Sequence, residues 1–415
     1  MLAARSAWNR RLTLGLAMSS IALSVALLMG VNHVREAART SFAHSVSDTD
    51  LVIGARTGPV QLMLYAVFRI GEATNNIRWR SFLDIAANPL VSWAIPLSLG
   101  DSHRGYPVLG TSVDYFERFR FGRSQPLTMA SGRPFDAIFE AVVGAEVARN
   151  LRYAPGERIV LNHGTGEVSF AAHSDQPFVV VGVLAPTGTP VDRSVHVPLA
   201  AIEAIHLAWQ GGAPMPGVVI APEHVSKFDL TPKSITAILV GLKNRAAVFR
   251  MQRSVNEYAA EPLLAVLPAA ALEQLWRIIG TAEQAMLAIS AMVLAVGMTG
   301  MVAVVLASLN ERRRELSILR ALGARPVDIF VLLMIEGAGV TLLGALIGVA
   351  LLGAAIALFG SLATAHYGIV VSGLSLGRSE LGLLAAIGAT GLLASLLPGY
   401  RAYRLLLADG LAPRL

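Results

Sequence analysis

The sequence predicts an α-helical membrane protein with four transmembrane helices in a 1 + 3 arrangement. A large α+β domain is inserted between helices 1 and 2. Three observations carry this prediction. Only 15% of the 415 residues are charged and 54% are hydrophobic, whereas soluble domains carry about 25% charged residues. Four long runs hold no charge at all, and arginines gather in the short segments beside those runs rather than in the long insert.

The uncharged runs are Leu12–Val31 (20 residues), Gln284–Ser308 (25), Gly337–Gly360 (24) and Leu381–Tyr400 (20). A spanning helix needs about 20 apolar residues, so helices are expected over 12–31, 283–308, 329–360 and 381–400. The first run follows Arg5, Arg10 and Arg11, and a basic start before an apolar stretch also describes a cleavable signal peptide. Asn9-Arg10-Arg11-Leu12 even hints at a twin-arginine signal. The run exceeds the ~7–15-residue core of a signal peptide, and no clear small-x-small cleavage site follows it, so it reads as an uncleaved anchor.

Charge placement gives the orientation. Segments 1–11, 309–328 and 401–415 hold 11 arginines against Glu311, Glu315, Asp328 and Asp409, whereas residues 32–282 balance 22 Lys and Arg against 21 Asp and Glu. Short arginine-rich segments stay cytoplasmic. Both termini and 309–328 are therefore expected on the cytoplasmic side of the membrane, with 32–282 and the loop 361–380 outside. The net charge of +6 is then a topology signal rather than a nucleic-acid footprint. The chain has no cysteine, which excludes disulfides, thiolate metal sites and a cysteine nucleophile.

The 32–282 segment mixes short β-like runs with helical patterns, an α+β signature. Strands are expected at Arg158–Asn162, Phe178–Leu184, Val195–Val197, Val218–Ile220 and Ile235–Leu242. In the last, both alternating sets are apolar, so it should be buried on both faces. Helices are expected at Ala141–Leu151, Leu199–Ala208, Asn244–Glu257 and, returning toward the membrane, Glu257–Arg277. Leu51–Ile77, with Ile95-Pro96-Leu97, admits two readings: a buried helix, or an apolar surface for a lipid-like or peptide cargo.

Within 32–282 catalytic motifs are absent: no H-E-x-x-H, G-x-S-x-G or C-x-x-C occurs there. Gly164-Thr165-Gly166-Glu167 lies between strand signals and reads as a hairpin turn. Eight of the nine histidines (His33, His44, His103, His163, His173, His196, His206 and His224) fall in this domain. No two have a close ligand spacing, so hydrogen-bonded or surface histidines are expected and no metal, catalytic or cofactor residue is assigned. A membrane-anchored enzyme is thereby disfavoured.

The connector Leu309–Phe330 is dense in charge between two spanning runs. At helical period Leu316, Leu319 and Leu322 share a face, Glu315 and Ile318 flank it, and the arginines point elsewhere. Gly323 is a helix stop and Pro326 suits the first turn of the next helix. An amphipathic helix is expected here, gripping either headgroups or a partner protein. In the third span, Gly344-x-x-x-Gly348 has the spacing for close helix packing, with a dimer interface as one use. Glu336, near its start, reads as an interfacial anchor rather than a gating carboxylate.

Arg313-Arg314-Glu315-Leu316-Ser317-Ile318-Leu319-Arg320-Ala321-Leu322-Gly323-Ala324 resembles the signature of MacB/FtsX-type (LolC/LolE-like) ABC transporter permeases, roughly R-R-x-E-I-G-I-L-R-A-L-G-A. Ala4–Arg11, Val142–Gly144 with Gly156–Ile159, Phe178–Leu184, and Pro398–Ala402 with Asp409-Gly410-Leu411 also resemble family stretches. Gly410 stands where proline is usual, and Leu51–Leu109 departs from the better-known members.

The resemblance implies an FtsX-like permease domain over 283–410 and a MacB-like periplasmic domain. It makes Arg313, Arg314, Glu315, Leu316, Leu319, Arg320, Leu322 and Gly323 the ATPase-coupling residues. No G-x-x-x-x-G-K-[ST] is present, so ATP and Mg are expected on a separate ATPase partner, with a second permease copy completing the complex and a periplasmic protein as a further partner. The implied function is export or extraction of envelope cargo (lipoprotein, lipid or peptide) by mechanotransmission. The alternative is an FtsX-like signalling subunit that regulates a periplasmic hydrolase.

Overall fold

The computed structural model describes residues 11–164, 171–172, 175–210, 213–215, 220–311, 318–319, 321–367, 373 and 377–409. Two compact units emerge: Met1–Ala38 with Ile279–Tyr367 and Val371–Leu415, and Arg39–Ile278 with Gly368–Val370.

The first unit is helical. Its helices are α1 (Arg11–His44), α2 (Pro268–Glu311), α3 (Pro326–Tyr367) and α4 (Arg378–Asp409). Each is long and apolar enough to cross a membrane, and each overruns its charge-free run. Absence of charge marks where lipid is tolerated; a helix ends only where a cap or breaker stops it. The core joins Leu14, Ile21, Val25 and Met29 of α1 to Met301 of α2 and Leu333 of α3.

The second unit is built on a 12-stranded mixed sheet. Its principal strands are β1 (Leu51–Ala55), β2 (Val91–His103), β3 (Tyr106–Thr111), β4 (Met129–Gly132), β5 (Glu140–Val143), β6 (Asn162–His163), β7 (Phe178–Leu184), β8 (Val195–Pro198), β9 (Ala237–Leu242) and β10 (Leu263–Val266). The order runs β10-β1-β9-β2-β3-β8-β5-β7-β4, and β6 pairs with β2 off this path. The β8–β3 and β7–β5 pairs are parallel. Strand β9 is buried at every position: Ala237 and Leu239 enter one core cluster, Ile238 and Val240 another. Both faces are covered, as its doubly apolar pattern requires.

Several expectations are corrected here. Ala141–Leu151 is not one helix: β5 occupies Glu140–Val143 and the helix starts at Ala145. Gly144 between them is extended, and a side chain there would meet the Val191 carbonyl at 2.3 Å, so the chain turns at the one residue that fits. Glu257–Arg277 is likewise divided, because Leu263–Val266 pairs with β1 before Pro268 opens α2. Thr236 interrupts the expected Ile235–Leu242 strand. Val218–Ile220 is not a strand at Ile220, and its first two residues lie outside the described ones.

The apolar surface considered for Leu51–Ile77 is absent. Leu62, Met63, Tyr65, Ala66 and Phe68 are buried in the core with Ile95 and Leu97, which leaves the buried-helix reading, over Pro59–Ala66. Asn162-His163 pairs antiparallel with Ala171-Ala172, while Thr165, Gly166 and Glu167 of the expected hairpin turn lie outside the described residues.

Candidate functional site

The connector between α2 and α3 is the first candidate. Arg313, Arg314, Glu315, Leu316 and Arg320 lie outside the described residues. Its last turn is clear. The Leu322 amide donates to the Ile318 carbonyl at 3.0 Å and the Ala324 amide to the Leu319 carbonyl at 3.0 Å. Gly323 takes φ +99°, a left-handed conformation that glycine adopts without strain. Helix α3 then begins at Pro326, and Asp328 accepts the Arg325 amide at 2.7 Å, satisfying a donor at the helix start. The Gly323-x-x-Pro326 punctuation therefore acts as the sequence implies.

The leucine stripe divides. Leu319 is half-buried against the helix core, whereas Leu322 is 79% and Ile318 59% exposed. The face that leads outward is thus Ile318–Leu322, with Leu319 anchoring it from beneath. A period count alone cannot separate these, because it does not say which side the rest of the chain occupies.

Close packing defines the second candidate, the bundle. Gly344 faces Ile21 and the Met18 carbonyl of α1, and a side chain at Gly348 would meet the Ala22 carbonyl at 2.6 Å. The G-x-x-x-G face is therefore filled by α1 of the same chain. Gly337 against Ser395 and Gly391 against Thr341 repeat the arrangement between α3 and α4. The buried hydroxyls donate within their own helices: Ser24 to Ser20 O (2.7 Å), Ser290 to Met286 O (2.8 Å), Thr341 to Gly337 O (3.0 Å) and Ser395 to Gly391 O (2.7 Å). Arg35 of α1 pairs with Glu283 of α2. Glu336 is half-buried on α3, about 15 Å along the helix from Pro326 at 1.5 Å per residue.

In the sheet unit, His196 on β8 is fully buried beside Tyr115 and Phe116. Burial, reinforced by the nearby Arg69 charge, pushes its pKa down to about 3, so it stays neutral. Two other histidines are brought together. His163 stands opposite Asp101 in the β6–β2 ladder, and His206 caps the C-terminus of the helix Leu199–Ile205. His163 Nδ1 lies 3.1 Å from Asp101 Oδ1 and 3.2 Å from His206 Nε2. The Asp101 hydrogen bond raises the His163 pKa against partial desolvation. The sequence spacing of 43 residues between the histidines concealed this grouping; strand register creates it, and no local motif announces it.

Comparison with known proteins agrees with the two-unit organisation. A family model for the MacB-like periplasmic core domain matches residues 14–258, and one for the FtsX-like permease C-terminal region matches 287–407. The macrolide export ATP-binding/permease protein MacB of Azoarcus sp. is 31% identical over 242 residues, 55% of this chain and 32% of that protein. Its counterpart in Rhodospirillum rubrum is 29% identical over 289 residues, 67% of this chain and 39% of that protein. The chain thus spans about a third of the length of the curated relatives it matches. The crystal structure of the periplasmic region of MacB from Actinobacillus actinomycetemcomitans aligns with 56% of this chain and 94% of its own, at 10% identity and a TM-score of 0.34. With one family model covering more than half of the residues and another the C-terminal helices, the chain belongs to the MacB/FtsX-type family of ABC transporter permeases.

Proposed function

We propose that this chain is a permease subunit of the bacterial inner membrane. In this reading it couples ATP hydrolysis on a partner ATPase, which holds ATP and Mg, to movement of its periplasmic domain, and so exports or extracts envelope cargo of the lipoprotein, lipid or peptide class. It works beside a second permease copy with both termini cytoplasmic. The observation that carries the reading is the connector. Ile318 and Leu322 stand outward on a turn held by Gly323, Arg325 and Asp328, between two helices long enough to span a membrane. Exposed apolar side chains beside an arginine cluster fit a protein groove better than open cytoplasm.

Helix α2 supplies the transmission. It runs without interruption through 44 residues, roughly 66 Å at 1.5 Å per residue. The relatives named above carry ATP-binding and permease functions under one name, and these 415 residues hold no G-x-x-x-x-G-K-[ST]. The match of the extramembrane unit to the MacB-like model favours transport over hydrolase signalling.

The test is co-purification of the full chain with its ATPase from the native membrane, followed by Leu322→Asp and Ile318→Asp. Both variants are expected to keep the assembled bundle and to lose ATPase association or cargo-stimulated hydrolysis. Retention of both at the wild-type level would overturn the coupling role.

A further inference from the structure

We propose that Asp101, His163 and His206 form a binding site for one divalent transition-metal cation of the zinc class.

The geometry comes first. His163 Nδ1, His206 Nε2 and Asp101 Oδ1 stand at the corners of an acute triangle with edges of 3.1, 3.2 and 3.9 Å. A point inside that triangle lies about 2.0 Å from all three atoms, and zinc bonds imidazole nitrogen and carboxylate oxygen at about 2.0–2.2 Å. No ligand has to move far to close on a cation.

Protons give a second, independent reason. His206 Nδ1 is 2.7 Å from the Ile202 carbonyl, a contact that only an N–H makes favourable. The neutral ring therefore turns the lone pair of Nε2 toward the cluster. Asp101 is an acceptor when ionised. Three electron-pair donors thus converge on one point where His163 Nδ1 brings a single proton at most. A cation at the centre satisfies all three at once. The Ile202 carbonyl is also the kind of outer partner that metal-bound histidines characteristically hold, fixing tautomer and ring orientation.

The site is built in advance. Asp101 is buried on β2, His163 is its direct cross-strand neighbour, and His206 is fixed at the end of its helix. Trp209 packs against both imidazoles, tilted to His163 and edge-on to His206 with ring centroids 5.3 and 5.6 Å away, and shields them on one side. Two imidazoles and one carboxylate suit zinc, cobalt, nickel or copper rather than magnesium or calcium. Three protein ligands leave a coordination position for water or a further group. Bound metal would tie together three segments far apart in sequence.

The experiment uses the full chain in detergent, stripped with a chelator and desalted, then titrated calorimetrically with Zn(II) and spectroscopically with Co(II). Wild type is expected to take up one Zn(II) per chain and to gain thermal stability on doing so. His206→Gln and His163→Gln are expected to weaken binding by more than about tenfold, the scale on which even outer-shell partners act. The exposed His224→Gln should bind as wild type. Co(II) should give the strong visible bands of a four- or five-coordinate centre, absent in His206→Gln. If wild type takes up no stoichiometric Zn(II), or if both cluster variants bind as tightly as wild type, the proposal fails and the three groups share only a proton. Should a variant unfold in chelator, the wild-type Co(II) spectrum decides: six-coordinate aqueous bands alone overturn the site.

Discussion

The sheet unit and the helix unit bury opposite things. In the first, the largest side chains go deepest: Tyr65, Tyr115, Phe178 and Ile53 are all essentially inaccessible. In the second, many of the largest apolar side chains face outward, including Leu23, Met292, Val296, Leu358 and Leu393. Its interior combines some large residues, such as Ile21 and Met29, with Ser24, Ser290, Thr341 and Ser395, and with glycines in close contact. The difference teaches which solvent each unit was selected against. Water drives apolar area inward at about 25 cal/mol per Å². Lipid supplies no such drive, so helices associate through close approach of small residues.

Four measurements on the full chain in detergent break or sharpen this contrast. The largest effect is expected from Ile238→Ala, which empties a fully buried position on β9; it should cost about 2–5 kcal/mol. Leu393→Ala, 65% exposed on α4, should cost under about 0.5 kcal/mol, as surface changes do. Equal losses on thermal unfolding would erase the distinction. Next, Gly348→Leu forces a side chain into the Ala22 carbonyl and should cost about 1–3 kcal/mol or more. Size-exclusion chromatography should show less monodisperse protein, while Gly388→Leu, which meets open space, should leave the profile unchanged.

The third measurement is pH dependence. His196 is held neutral down to about 3 against an ordinary 6.5, so below pH 6.5 the unfolded chain binds a proton that the folded one refuses. Stability should fall as pH drops from 6.5 toward 3, with a slope up to about 1.4 kcal/mol per unit. His196→Phe should flatten that part of the profile; an unchanged slope would assign it elsewhere. The smallest effect belongs to Glu140, whose hydrogen bonds from Arg133 lower its pKa from 4.5 to about 2. Its contribution is complete above pH 4.5 and lost as pH falls through 2. Glu140→Gln should therefore reduce stability slightly at neutral pH and not at all well below pH 2.

The sequence disclosed the helices because lipid imposes a long, uniform condition, the exclusion of charge over about 20 residues. It disclosed β7 at Phe178–Leu184 as a short β-like run and β9 through apolarity on both faces. It concealed what depends on a distant neighbour. Gly144 ends β5 because the Val191 and Asp192 carbonyls crowd it, a contact that no window around Gly144 contains. The outward turn of Leu322 and inward turn of Leu319 depend on where the other helices lie. His163 meets Asp101 only through the register of β6 on β2, and His206 joins them from the end of a separate helix.

The self-contained hydroxyls of the bundle have a mechanical consequence. Ser24, Ser290 and Ser395 each donate to the carbonyl one turn back on their own helix, as does Thr341, whose hydroxyl also lies 3.5 Å from Met301 Sδ of α2. Where hydroxyls travel with their own helix, a shear against the neighbour gives up mainly dispersion contacts, which re-form after a small step. The interior of this bundle is in that sense a low-friction bearing, with polar ties between helices at Thr341–Met301 and Arg35–Glu283.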